Sequence, residues 1–347
     1  MAASAYDAFL LLSFGGPEQH GDVIPFLENV LRGKNVPRER MIEVAEHYYH
    51  FGGRSPINDQ NRALLEAIRQ EFSTHGLHLP IYWGNRNWHP LLADTLRQMQ
   101  RDGVRHALAF ATSAFSSYSG CRQYREDIER ARAEVGPEAP QISKLRVCFN
   151  HPGFVAAMID RTREALATLP SDGPATPVLF TAHSVPLAMA QGPNANYVPQ
   201  LEEACRLIAE ELKLTNWSLV YQSRSGPPGQ PWLEPDVSDA IRKLAAQGAH
   251  SLAIVPVGFV SDHMEVLYDL DTEARQLCDD LGLRMARAST AGLHPQYVSM
   301  IRQLVAERLE GAPRLSLGAL GPYPDVCPPD CCPAPQRPVR PAPANSR

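Results

Sequence analysis

A chain of 347 residues exceeds one ordinary hydrophobic core and suits two domains of roughly 150 residues each, with extras. Its 44% hydrophobic content is that of a soluble globular protein, and a net charge of −5 without a Lys/Arg run argues against nucleic acid or a basic membrane-surface stripe. No stretch approaches the ~20 apolar residues of a membrane span, and the early run Ala8–Phe14 is too short and lacks the basic flank of a secretion signal, so a cytoplasmic location is expected.

Strand candidates then alternate with helical periodicity, the pattern of a parallel α/β sheet. The run Ala8–Phe14 ends in the turn Gly15-Gly16 and is followed by helical patterns over 22–32, 40–50 and 59–71. Between the last two lies F-G-G-R-S-P-I-N, residues 51–58. Strands at Pro80–Gly84 and His106–Thr112, helices at 90–101 and 119–135, and a strand at Leu145–Phe149 complete a first half. The segment S-S-Y-S-G-C-R-Q-Y-R, residues 116–125, offers hydroxyls and guanidinium groups near a helix start, as does 51–58. Such groups suit a carboxylate or phosphate, although helix capping explains Ser55 and Ser119 equally well.

A helix over 154–167 and the loop-like stretch 168–176 lead into the second half. Its strands are expected at Pro177–Ala182, Trp217–Tyr221, Leu252–Val257 and Leu283–Ala288, and its helices over 197–211, 236–246, 262–281 and 295–310. Two doubly wound domains are expected, 1–168 and 169–312, followed by a Pro- and Cys-rich tail, 313–347, whose distal end is expected to be disordered. No glycine-rich dinucleotide or phosphate-loop motif follows any strand.

Two strand ends carry chemistry. T-A-H-S-V-P places His183 at the end of one strand, where a neutral imidazole accepts a proton near pH 7 or binds a transition metal, or is simply a hydrogen-bonded loop residue. V-P-V-G-F-V-S-D-H-M-E-V-L-Y-D follows another strand and spaces Glu265, Asp269 and Glu273 four residues apart. On an α-helix that spacing stacks the carboxylates roughly 6 Å apart on one face. A solvated acidic face would show the same spacing. The position directly after a buried strand, where α/β sheets put ligands, favours a cation path. Seven cysteines in a cytosolic chain argue against disulfides. Cys327, Cys331 and Cys332 crowd the tail, while Cys121, Cys205 and Cys278 lie in helical patterns and read as filler.

L-L-L-S-F-G-G-P, F-G-G-R-S-P-I, T-A-H-S-V-P, Y-Q-S-R-S-G-P-P-G-Q-P-W-L-E-P-D-V and V-P-V-G-F-V-S-D-H-M-E-V-L-Y-D together strongly resemble ferrochelatases, over about residues 6–311. The resemblance implies two similar Rossmann-like domains with four-stranded parallel sheets, a porphyrin cleft between them, and insertion of Fe(II) with loss of two pyrrole protons. It makes His183 the catalytic histidine and Glu265 its partner across the macrocycle, the two serving as base and metal ligand in either order. Asp269 and Glu273 become an acidic metal track. Phe14 stands where many bacterial relatives have Tyr, so that position supplies no metal-binding phenol.

The basic segment with Arg32, Lys34, Arg38 and Arg40 favours the four-carboxylate coproporphyrin III over protoporphyrin IX, and likeness to Gram-positive coproporphyrin-type enzymes agrees. Matching positions make Ser55 and Tyr124 the leading propionate contacts, with Arg32, His47, Tyr48 and Arg54 behind them. Some ferrochelatases carry a [2Fe–2S] cluster on three tail cysteines and one from the body; by that likeness Cys148, Cys327, Cys331 and Cys332 are the expected ligands, with Cys331 or Cys332 a possible bystander and zinc disfavoured by spacing. The expected protein is a monomer without nucleic-acid or stable membrane partners. A cobalt chelatase and a non-catalytic haem or iron–sulfur sensor are the alternatives.

Overall fold

The computed structural model describes residues 5–33, 36–170, 175–192, 194–226 and 229–334. Lys34, part of the expected domain junction and the distal tail lie outside them.

Among the described residues the eight strands are β1 (Ala8–Ser13), β2 (Ile81–Asn85), β3 (His106–Ala111), β4 (Gln141–Lys144), β5 (Val178–His183), β6 (Trp217–Gln222), β7 (Ser251–Val255) and β8 (Arg284–Arg287). They form two four-stranded parallel sheets with the same order, β2-β1-β3-β4 and β6-β5-β7-β8. In the first sheet Leu10 pairs with Tyr82 on one side and Ala109 on the other; in the second, Phe180 pairs with Leu219 and Val255. Every residue of β1 is buried, as expected of a central strand covered on both faces.

The helices are α1 (Val23–Leu31), α2 (Arg38–His50), α3 (Ile57–Thr74), α4 (Leu92–Arg101), α5 (Gln123–Val135), α6 (Pro152–Leu166), α7 (Leu187–Ala190), α8 (Tyr197–Glu211), α9 (Val237–Ala246), α10 (Met264–Val266), α11 (Arg275–Asp280) and α12 (Pro295–Leu309). Between α10 and α11 the chain is π-helical over Leu267–Ala274, and a π turn, Tyr118–Arg122, opens α5. The expected strand at Leu145–Phe149 is displaced to 141–144; the apolar run after it is buried without being paired as a strand.

Two helices cross between the halves. α6 packs on β7, β8 and α8 of the second sheet, while α12 packs on α6 and α3. One apolar core therefore runs from Phe9, Leu11 and Phe72 to Val178, Phe180 and Val255. After α12, the described part of the tail has no helix or strand and lies against the body. Arg146, deeply buried with Glu307 at 2.7 Å, also donates to the Leu315 carbonyl at 2.8 Å. Asn150 donates to the carbonyls of Leu317 and Gly321 at 3.1 and 2.8 Å.

Candidate active site

His183 is the last residue of β5, and the loop after β7 passes directly beside it. Gly258 permits that approach: its amide donates to the Thr181 carbonyl at 3.0 Å, and a Cβ there would lie 2.6 Å from that of Ala182. The loop delivers Glu265 so that its Oε2 lies 3.6 Å from His183 Nε2. His183 Nδ1 faces the carbonyl of Ser184, which can only accept. That bond puts the ring proton on Nδ1 and leaves the Nε2 lone pair facing Glu265.

This geometry corrects one expectation. A flat ring between two groups needs van der Waals clearance on both faces, about 7 Å in all. At 3.6 Å, His183 and Glu265 as they stand leave no room for a flat ring between them.

Behind Glu265, Asp269 and Glu273 lie in the π-helical stretch, where the wider turn replaces the α-helical stacking expected from their spacing. Asp269 accepts from Gln222 Nε2 at 3.1 Å and from the Ser223 hydroxyl. Burial is the main cause that pushes its carboxyl up to about 7, with Glu265 and Glu273 adding repulsion. Glu273 is shifted upward by burial and by Asp236. Ser223 holds its position with a left-handed backbone, φ 61°, uncommon for a non-glycine residue. His263, half-buried, has its pKa lowered first by burial and is also within electrostatic reach of Glu265 and His183.

The first half closes over the pair. His47 on α2 stacks flat on Tyr268 of the π stretch, centroids 3.8 Å apart, and Gln60 accepts from the Asp262 amide at 2.9 Å. Burial and Arg40 lower the His47 pKa while Glu265 raises it; burial and then Glu265 raise that of the Tyr48 phenol. His47 and Tyr48 thus stand within electrostatic reach of Glu265.

Other expected porphyrin contacts are engaged elsewhere. Ser55 is buried against Gly16, where a Cβ would lie 2.7 Å from its own. Tyr124 is buried beneath the Arg86 guanidinium, 4.6 Å from its ring centroid. Arg54 is exposed and paired with Asp59, and Arg32 is exposed and bonded to Asn29.

The tail thiols form a second constellation. Cys327, Cys331 and Cys332 line one cavity with Cys121, Lys144 and several arginines. Cys331 and Cys332 sulfurs are 3.4 Å apart, and Cys327, Cys332 and Lys144 beside Cys121 hold its thiol well below the usual range despite burial. Cys148, the expected body ligand, is instead fully buried, and burial pushes its thiol up to about 12. The thiol that faces the tail is Cys121. Nothing in its local sequence marks it, because the convergence is tertiary. Among the described residues, no three His, Cys, Asp or Glu side chains surround one point as a single ion requires. A two-iron cluster has a different demand, spreading four thiolates over two metals.

Comparison with known proteins agrees with the fold and motifs. The ferrochelatase family model matches residues 6–309. The chain is 61% identical to a ferrochelatase of Rhodopirellula baltica, with 98% of each chain covered. It is 50% identical to a coproporphyrin III ferrochelatase of Streptomyces coelicolor, covering 99% of this chain and 97% of that one. Its fold is similar to that of SirB from Bacillus subtilis solved with Fe3+, with a TM-score of 0.54, 13% identity, and coverage of 88% of this chain and 96% of the other.

Proposed function

The chain belongs to the ferrochelatase family, and from that premise we propose that it inserts Fe(II) into coproporphyrin III to give Fe-coproporphyrin, a cytoplasmic lyase-type step of haem synthesis. The observation that carries the reading is the His183–Glu265 pair, 3.6 Å apart at the head of a partly buried acid track.

Entry of the metal requires two pyrrole protons to leave. With Nδ1 committed to the Ser184 carbonyl, His183 Nε2 takes a proton, and Glu265 stabilises the resulting imidazolium. Asp269, poised near pH 7 by burial, accepts and releases protons at little cost and passes them toward Glu273. The same carboxylates offer Fe(II) hard oxygen donors. His47 and Tyr48 on α2 border the porphyrin, and the exposed Arg32 and Arg54 offer its propionates guanidinium groups, whereas Ser55 and Tyr124 are buried.

The exposed guanidinium groups of Arg32 and Arg38 on the lip support a substrate with four carboxylates. Similarity to the Streptomyces enzyme points the same way. Anaerobic turnover with Fe(II) and each porphyrin tests the choice: a higher kcat/KM is expected for coproporphyrin III, and preference for protoporphyrin IX overturns it. His183→Ala should abolish insertion while porphyrin binding, followed by fluorescence, persists; near-normal turnover refutes the histidine's role.

The resemblance also implies a [2Fe–2S] cluster. Cys121, Cys327, Cys331 and Cys332 would hold it, and the surrounding Lys144 and arginines suit its negative charge. When bound it supplies a redox-active crosslink between tail and body.

A further inference from the structure

Between the tail thiols and His183 lies a connected set of hydrogen bonds that neither iron insertion nor thiol ligation requires. Tyr323 Oη is 3.0 Å from Cys331 Sγ and accepts from Asn196 Nδ2 at 3.5 Å, Asn196 being the residue that opens α8. Ser116 is locked to Gln200 twice: its amide donates to Gln200 Oε1 at 2.7 Å, and Gln200 Nε2 donates to its hydroxyl at 3.0 Å. Ser116 and Gln200 are both deeply buried. With the Asn196 side-chain amide donating to it, the Tyr323 hydroxyl is left to donate its own proton to the Cys331 sulfur.

Gln200 sits in the first turn of α8, and its amide donates to the Asn196 carbonyl at 3.1 Å. The same turn carries Tyr197, whose hydroxyl donates to the His183 backbone carbonyl at 3.0 Å. Tyr197 also meets Phe115, the residue before Ser116, edge to face. One helical turn therefore grips the tail on one side and the catalytic histidine on the other.

We propose that Tyr197 is a positioning residue for His183 and that the tail, through Tyr323 and Asn196, the residue before Tyr197, fixes the setting of Tyr197. The proposal rests on His183 being the proton acceptor. The His183 carbonyl anchors the end of β5 opposite the Nε2 lone pair, so slack at Tyr197 misaims the ring without disturbing the groups that contact porphyrin. Loss of the tail contact at Tyr323 loosens the same turn and produces the same fault.

A double-mutant cycle tests this in the full chain, using Tyr197→Phe and Tyr323→Phe, each of which removes one hydroxyl. Each single variant is expected to lower kcat about 5-fold, the loss of one net hydrogen bond, with KM for porphyrin within about 2-fold. The double variant is expected to be no slower than the worse single, and both singles should move the acid limb of the kcat–pH profile in the same direction. Asn196→Ala, which removes the amide that meets Tyr323, should reproduce Tyr323→Phe if the latter does not fold. Multiplying effects in the double variant, or unchanged kcat in both Tyr323→Phe and Asn196→Ala, overturns the proposal. A wild-type protein that inserts iron into neither porphyrin overturns the functional reading instead.

Discussion

Asp269 is held between opposing demands: two hydrogen bonds favour its charge, while burial and neighbouring carboxylates oppose it, and the opposition wins. Its carboxyl titrates near 3.8 in the unfolded chain and about 7 in the folded one, so between those values the native state binds the additional proton. Stability from this group is fully present below the unfolded pKa and is lost as pH rises through the folded one. Asp269→Asn removes that loss. The variant should melt a few °C above wild type at pH 8 and equal it near pH 4, while inserting iron more slowly because the proton carrier is gone. A lower melting temperature for the variant at pH 8 would show that the carboxylate's bonds outweigh its burial. The sequence made the acidic ladder legible through spacing alone. It did not reveal Gln222 and Ser223, because they reach Asp269 from β6 and the turn after it, 47 and 46 residues away.

Elements were legible where their hydrophobic period was regular. The central strands are continuous apolar runs and fall where expected. β4 was missed because Gln141–Lys144 carries exposed and half-buried polar side chains at a sheet edge, and the apolar run beside it drew the assignment. The π-helical stretch was read as ordinary helix, since a widened turn leaves little trace in an apolar pattern of period 3.6. What fixes this stretch is Arg287 at the end of β8. Its guanidinium takes Asp271 with two bonds, at 2.9 and 2.7 Å, and Asp262 at 3.0 Å, tying both flanks of the Glu265 segment to the sheet. All three side chains are largely shielded, so deleting the cation strands two carboxylates. Arg287→Ala should cost about 3 kcal/mol in urea unfolding. Arg287→Lys, which keeps the charge but not the fork, should keep more of the stability and still lose kcat with little change in porphyrin KM. Equal kcat in the lysine variant and wild type would mean that charge alone sets the segment.

At the scale of the molecule, two sheets of identical strand order set His183 and the acid track at one rim of the second sheet, with α2 of the first half folded over them. Pattern reading identified the repeated architecture, but the crossing of α6 and α12 depends on packing that no local window contains. The thiol quartet has the same origin: the tail is strapped down by Arg146, Asn150 and Glu203, and the strap decides which body cysteine it meets. Glu203 accepts from the Ala319 and Leu320 amides, steering the chain toward Cys121 and away from Cys148, which lies fully buried in the core. If the cluster reading is correct, anaerobically purified wild-type protein contains iron, acid-labile sulfide and visible absorption, Cys148→Ser keeps all three, and Cys121→Ser loses them. The reverse result for the two serines would restore Cys148 as the ligand and require the strap to reseat. A colourless wild type, free of iron and sulfide, would leave the tail as a staple held by its hydrogen bonds, with Arg146 and Glu307, each at most 3% exposed, as its anchor.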